Sequence, residues 1–125
     1  MSIHASLYKR LRDDVAVDAL VSGAIYPVNA PDTHSLAYVC HRQIDPGAEK
    51  HLAGYGPYHP RHEINCYASK YSVARATADA VIASLFAWPR ADGVQSVRLV
   101  ADSDQEFEID SKSFCVMLVF EIWHS

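Results

Sequence analysis

Between Arg61 and Trp88 the sequence RHEINCYASKYSVARATADAVIASLFAW changes its period once, and that change restricts the fold more than any other feature. Up to Ala68 the residues alternate. Ile64, Cys66 and Ala68 fall on one side of an extended chain, and Glu63, Asn65 and Tyr67 on the other, as in a half-buried strand. Ser69-Lys70-Tyr71-Ser72 breaks the pattern. From Val73 onward, small and apolar residues recur at helical spacing, and Val73, Ala76, Thr77, Ala80, Val81, Ser84 and Leu85 form the expected buried stripe. Arg75 and Asp79, four apart, are expected on the opposite face as a surface pair. Ser72 is the expected N-cap, and Pro89 stops the helix after Trp88. Alanine on the buried stripe lets the helix lie close over a sheet. The segment reads as a strand–turn–helix unit.

The flanking segments supply the rest of the layers. Ile3, Leu7, Leu11 and Val15 recur every four residues with Lys9, Arg10 and Arg12 turned elsewhere, which predicts an amphipathic first helix whose basic trio is its solvated face. Asp13-Asp14 caps a second short helix carrying Val17, Leu20 and Val21, with Gly23 as its left-handed terminator. Ala24 to Pro27 is a brief extended piece, Asn29 to Ser35 a loop, and Leu36 to Ile44 a strand. After the helix, Gln95–Ala101, Gln105–Ile109 and Ser113–Trp123 read as a strand meander turning at Asp102-Ser103-Asp104 and Asp110-Ser111-Lys112. In the last strand Phe114, Val116, Leu118, Phe120 and Ile122 share one face, while Cys115, Met117 and Val119 make much of the other apolar. That suits a central strand, or one covered by a neighbouring subunit. The fold class expected is α/β (α+β): a mainly antiparallel sheet covered by one long central helix, with an N-terminal helical segment and a C-terminal meander.

Two stretches stand apart from this plan. Asp45 to Pro60, DPGAEKHLAGYGPYHP, is rich in glycine and proline, and reads as one long flexible loop where neither helix nor central strand persists. Loops of that length are usually functional or disordered, and Tyr55 and Tyr58 among the glycines suggest an adhesive segment. Asp102, Asp104, Glu106, Glu108 and Asp110 occupy every second position, so that an extended chain would present a face wholly of carboxylates. Such a face serves as a charged guard on an edge strand, as a wall that repels DNA phosphates, or as a cation site.

At 125 residues the chain makes one domain, 1–125, able to bury about two-thirds of its unfolded surface. A net charge of −4 argues against generic affinity for nucleic acid, whose phosphates demand a basic surface. Met1-Ser2-Ile3-His4 begins no secretory segment, and the apolar runs Ala80–Trp88 and Phe114–Phe120 are too short to span a bilayer. Cys40, Cys66 and Cys115, odd in number and carried on strands, are expected as reduced thiols in a protein made in the cytoplasm. His59 and His62 with Cys66 invite a metal reading completed by His51, His41 or Cys40, yet no closely spaced ligand pair of the zinc-site kind exists. No nucleophile elbow, phosphate-binding glycine loop or His-Glu-x-x-His helix occurs, so no catalytic, metal or cofactor residues are assigned. A metal-dependent small enzyme or a binding module using the His/Cys set stands as the alternative.

With these residues laid out, the chain resembles the tail terminator family of tailed bacteriophages, also called tail completion or head–tail joining proteins and long classed as a domain of unknown function. Ile25-Tyr26-Pro27 matches an extended motif that follows the first helices. Ala37-Tyr38-Val39 resembles the family's strand start, with Ala37 where proline is usual, and Gln43-Ile44 closes that strand. Glu63 to Ala68 with Tyr71, Ala74, Ala78 and Val81 resembles the central strand–helix signature. Val119 to His124 resembles the terminal strand, with Glu121 where aspartate is usual. The resemblance implies a structural, non-catalytic virion protein without cofactors at the head-proximal end of the tail. It further implies a ring of about six copies on the major tail-tube protein that stops tube polymerisation and docks the head connector or stopper protein. Genome DNA would pass through the lumen without specific binding, and no membrane is involved. A head-completion or connector protein is the nearest alternative in this class. Tyr55, Tyr58, Asp102, Asp104, Glu106, Glu108 and Asp110 are the residues expected at assembly contacts.

Overall fold

The computed structural model describes residues 3–28, 37–45, 48–51, 54–58, 60–88, 94–110 and 112–124. Two N-terminal helices, α1 (Ile3–Asp13) and α2 (Val15–Val21), lead into β1 (Ile25–Pro27), β2 (Tyr38–Asp45), β3 (Ala48–His51), β4 (Gly54–Tyr58) and β5 (Arg61–Ala68). The long helix α3 (Tyr71–Phe86) follows, and then β6 (Val94–Asp104) and β7 (Phe114–His124). The strands form one sheet in the order β1-β2-β5-β7-β4-β3, with β6 on the remaining side of β7. Only β1–β2 is parallel. The mainly antiparallel sheet under one long helix is as the sequence predicts.

Alternation decides which face of the sheet is buried. His62, Ile64, Cys66 and Ala68 of β5 are buried, while Arg61, Glu63, Asn65 and Tyr67 between them are half-exposed. The register sets Ile64 beside Leu118 and Cys66 beside Val116, so both strands present their apolar residues to α3. Val116, Leu118, Phe120 and Ile122 are fully buried there with Leu7, Leu11 and Val17 from the first helices. From α3 the buried residues are Ala74, Thr77, Ala78, Val81, Ser84 and Leu85. The stripe is thus rotated from the one expected: Ala74 and Ala78 join Thr77, Val81, Ser84 and Leu85 in place of Val73, Ala76 and Ala80, since alanines around the helix let more than one face lie close to the strands. Buried Thr77 is satisfied within the helix, its Oγ1 donating to the Val73 carbonyl at 2.8 Å.

Capping differs in one place. Asp14 accepts from the Val17 amide at 3.0 Å, as Asp13-Asp14 predicts, and Ser22 and Gly23 close α2 with φ of 52° and 77°. At α3, however, the N-cap is Lys70, which makes no side-chain cap bond, and Ser72 lies inside the helix. The other end of α3 has an unforeseen partner. Arg10 donates through Nε and Nη2 to the Ser84 carbonyl, at 3.1 and 2.8 Å. That carbonyl lies in the last turn, where a cation complements the helix dipole. One member of the basic trio therefore locks α1 onto α3 instead of only facing solvent.

Two further expectations are corrected. Within the stretch read as a flexible loop, β3 and β4 pair antiparallel, with His51 opposite Gly54 and Ala48 opposite Tyr58. The β4–β7 register, Tyr58↔His124, continues that of β5–β7, so the hairpin prolongs β2 and β5 past the end of β7. Glycine and proline are tolerated because this ribbon lies at the sheet margin. The meander is also simpler than expected. Asp102-Ser103-Asp104 ends the eleven-residue β6 instead of turning, and Gln105–Ile109 is no strand but a connection closed by the isolated Glu108↔Ser113 bridge. Asp110 and Lys112 lie in a turn, with Lys112 at φ 52°, while Ser111 lies outside the described residues.

The packing predicts where substitution is costly. Leu118→Ala should lower stability by about 2–5 kcal/mol in urea unfolding, because it leaves a cavity beneath α3. Ile109→Ala, at a residue 79% exposed, should fall within about 0.5 kcal/mol of the parent.

Candidate functional site

The five alternating carboxylates do not share a face. Asp102 and Asp104 lie opposite Leu118 and Val116, on the side of the sheet that carries α3. There Arg75 reaches them from the helix. Its Nη1 and Nη2 donate to Asp102 at 3.0 Å each, and Nη2 also donates to Asp104 at 2.7 Å. Tyr71 Oη donates to the second oxygen of Asp104 at 3.0 Å, while the expected Arg75–Asp79 pair is looser at 3.7 Å. The Arg75 hydrogen bond, then that from Tyr71, holds the Asp104 carboxyl below the ordinary carboxylate range, and the hydrogen bonds to Asp102, then to Asp104, raise Arg75. One guanidinium thus cancels much of the charge of two strand acids.

Glu106, Glu108 and Asp110 belong instead to the β6–β7 connection, and all three are exposed. Glu106 and Glu108 border a groove of about 230 Å³ on the face away from α3, with Glu63, Asn65, Tyr67 and Cys115. Two exposed apolar residues sit between the acids. Ile109 is 79% exposed and Phe107 44%, the latter resting on Phe114 with ring centroids 4.7 Å apart. This acidic and apolar tip stands at the Phe114 end of β7. Tyr55 and Tyr58 belong to β4 at the opposite, His124 end.

The face of the sheet without helices carries an ordered polar layer. Arg42 Nε donates to Glu63 at 2.8 Å, and Asn65 Nδ2 to the other oxygen of Glu63 at 3.1 Å. Arg61 meets Glu121 at 3.4 Å, and Trp123 Nε1 donates to Glu121 at 3.1 Å. Tyr38 stacks on Tyr67 with centroids 4.7 Å apart, and Tyr26 lies 6.2 Å from Tyr38. Burial raises the phenols of Tyr38 and Tyr67 above their ordinary value. The sequence alternation places these residues on one face, but their pairing depends on strand order, which it does not give.

The His/Cys set forms no centre in the described residues. His62 and Cys66 share the core-facing side of β5, as the alternation implies, and His41 faces the core from β2, opposite Ile64. His59 lies outside the described residues, as do the side chains of His51, Tyr55 and Tyr58. No group of three or more His, Cys, Asp or Glu among the described residues is arranged to hold a metal ion. All three cysteines are free. Burial pushes the Cys115 thiol up to about 11 and Cys66 higher still, which suppresses the nucleophilic thiolate. No described helix is long and apolar enough to cross a membrane.

The sequence pattern of the family described as tail completion protein gp17 matches residues 5–125, and the chain belongs to that family. It is a structural tail-completion protein of the virion, not an enzyme. Among solved structures, a chain from the virion of a native gene transfer agent (GTA) particle is similar at 20% identity with a TM-score of 0.76, over 98% of this chain and 94% of that one. At that identity the likeness shows the fold alone. A second solved chain, 16% identical over 97% of this chain and 96% of the other, has a TM-score of 0.44 and carries no argument. No curated protein matches the sequence significantly.

Replacing Arg75 with Gln should return the Asp104 carboxyl toward the ordinary carboxylate range in an NMR titration. Because the folded value is depressed, this contact stabilises the fold fully above the ordinary carboxylate range, and its contribution is lost as pH falls from there through the lower folded value. The variant should therefore lose stability at neutral pH and show a weaker acid dependence below.

Proposed function

We propose that the chain is a tail terminator that forms a ring, of about six copies, on the last ring of the tail tube. There it stops tube polymerisation and presents the surface that docks the head connector. Genome DNA passes through the lumen without specific binding, which a net charge of −4 favours. Family membership supports the class of role. The observation that supports the finer reading is the placement of two unlike margins at opposite ends of β7. One is the Glu106–Asp110 tip with exposed Phe107 and Ile109, and the other is the hairpin that carries Tyr55 and Tyr58. An eleven-residue strand separates them by about 30 Å. A subunit with unlike ends suits a part that joins two unlike partners along one axis.

Asp102 and Asp104 enter this reading differently from the other acids. Held by Arg75, they set the position of the β6 end from which the tip springs, while Glu106, Glu108 and Asp110 supply the free negative charge.

The test is tube growth. Purified protein added to polymerising major tail-tube protein should shorten the tubes and leave capped ends in electron micrographs, and native mass spectrometry of capped ends should give a six-subunit species. Tyr55→Ala with Tyr58→Ala should keep the thermal transition but weaken capping by about tenfold or more, the loss expected when aromatic anchors leave an interface. Unchanged tube lengths with the parent protein, together with binding to heads, would move the chain to the head-completion side of the junction.

A further inference from the structure

Among the described residues the sheet ends in two long edges without a partner strand, on opposite sides of the sheet. On one side β6 runs for eleven residues, Val94–Asp104, and among the described residues it pairs only with β7. It contains no proline or lysine, the common guards of an open edge, although its register with β7 shifts twice. On the other side β1 covers only Val39–His41 of β2. Beyond it, no described strand pairs with the outer edge of Arg42–Asp45 or of β3, Ala48–His51. The two edges are of similar length.

Their polarity also matches. β6 runs antiparallel to β7, β7 to β5, and β5 to β2; β3 and β4 repeat the alternation. The Arg42–Asp45 and Ala48–His51 edge segments therefore run opposite to β6. When a second copy is placed beside the first with its helices on the same side, β6 of one meets these segments of the other as an antiparallel pair, the more stable kind. Side chains agree with this placement. Ile44 is 45% exposed beside the β2 edge, and Val97, Leu99 and Val100 of β6 are half-buried, so pairing adds apolar cross-strand contacts. The projecting β3–β4 ribbon gains a third strand, which a two-stranded ribbon in water needs.

We infer that neighbouring copies join by β6 pairing with the Arg42–Asp45 and Ala48–His51 edge of the next, so that one sheet runs around the assembly. The partner is a second copy of this chain, and the contact is heterologous, the kind that closes into a ring. This inference rests on the ring reading and specifies its joint.

Hydrogen exchange on capped tubes and on the free chain tests it. Amides within 94–104 and within 42–51 should both slow by about tenfold or more on assembly, while those of α3 change little. Ile44→Lys should leave the thermal transition of the free chain in place and reduce the six-subunit species. Rings that form with either edge still exchanging freely would overturn the joint and leave the ring reading standing. Protection of β6 alone, in a two-subunit species, would replace it with a symmetric β6–β6 contact. No ring under any condition, tail tubes included, would overturn both.

Discussion

The pairing of β5 with β7, unbroken from Arg61↔Glu121 to Ala68↔Phe114, is the contact on which the other elements depend. It joins segments about fifty residues apart, so forming it carries a large loop-closure cost that only the burial of a shared apolar face offsets. α3 supplies the cover. It follows β5 after a two-residue turn and lies back across both strands with Ala74 and Ala78 against them. Once that layer is set, α1 and α2 close it at one side, and β6 and the β3–β4 ribbon extend it at its margins. The margins, being outside the cover, are free to carry contacts.

Charge is arranged to suit this division. Where an acid faces the helix layer it is answered: Asp102 and Asp104 by Arg75, and the last-turn carbonyl of Ser84 by Arg10. On the bare face Glu63 and Glu121 are answered by Arg42 and Arg61. The acids left exposed in the β6–β7 connection, Glu106, Glu108 and Asp110, therefore act together at one end of the molecule. A uniform carboxylate wall would have had to bear the mutual repulsion of five charges along one strand.

How much of this was legible in the sequence follows from the range of the forces involved. The β5–α3 unit, the α2 caps at Asp14 and Gly23, and the buried face of β7 are set by neighbours within a few residues, and the periodicity states them directly. The α3 stripe came out rotated because alanines lie on more than one face of the helix, and only its packing on the strands selects between them. The hairpin at 48–58 was hidden because glycine and proline weaken a strand signal that cross-strand pairing restores. The splitting of the acidic run depended on Arg75, a residue whose helical position fits a surface pair with Asp79 equally well. Of the proposed contact residues, the sequence could nominate Tyr55, Tyr58 and the acids by their oddity, but their arrangement at opposite ends is a property of strand register.

The three cysteines acquire a meaning outside the cell. Thiols that stay reduced inside a cell are open to oxidation in oxygenated surroundings. Cys40 and Cys66 are buried and Cys115 is mostly so, and desolvation keeps Cys66 and Cys115 protonated. Because the thiolate is the species that oxidises or exchanges, a thiol shielded in this way ages slowly. The sheet thereby also serves as chemical insulation, keeping its thiols from adventitious cross-links.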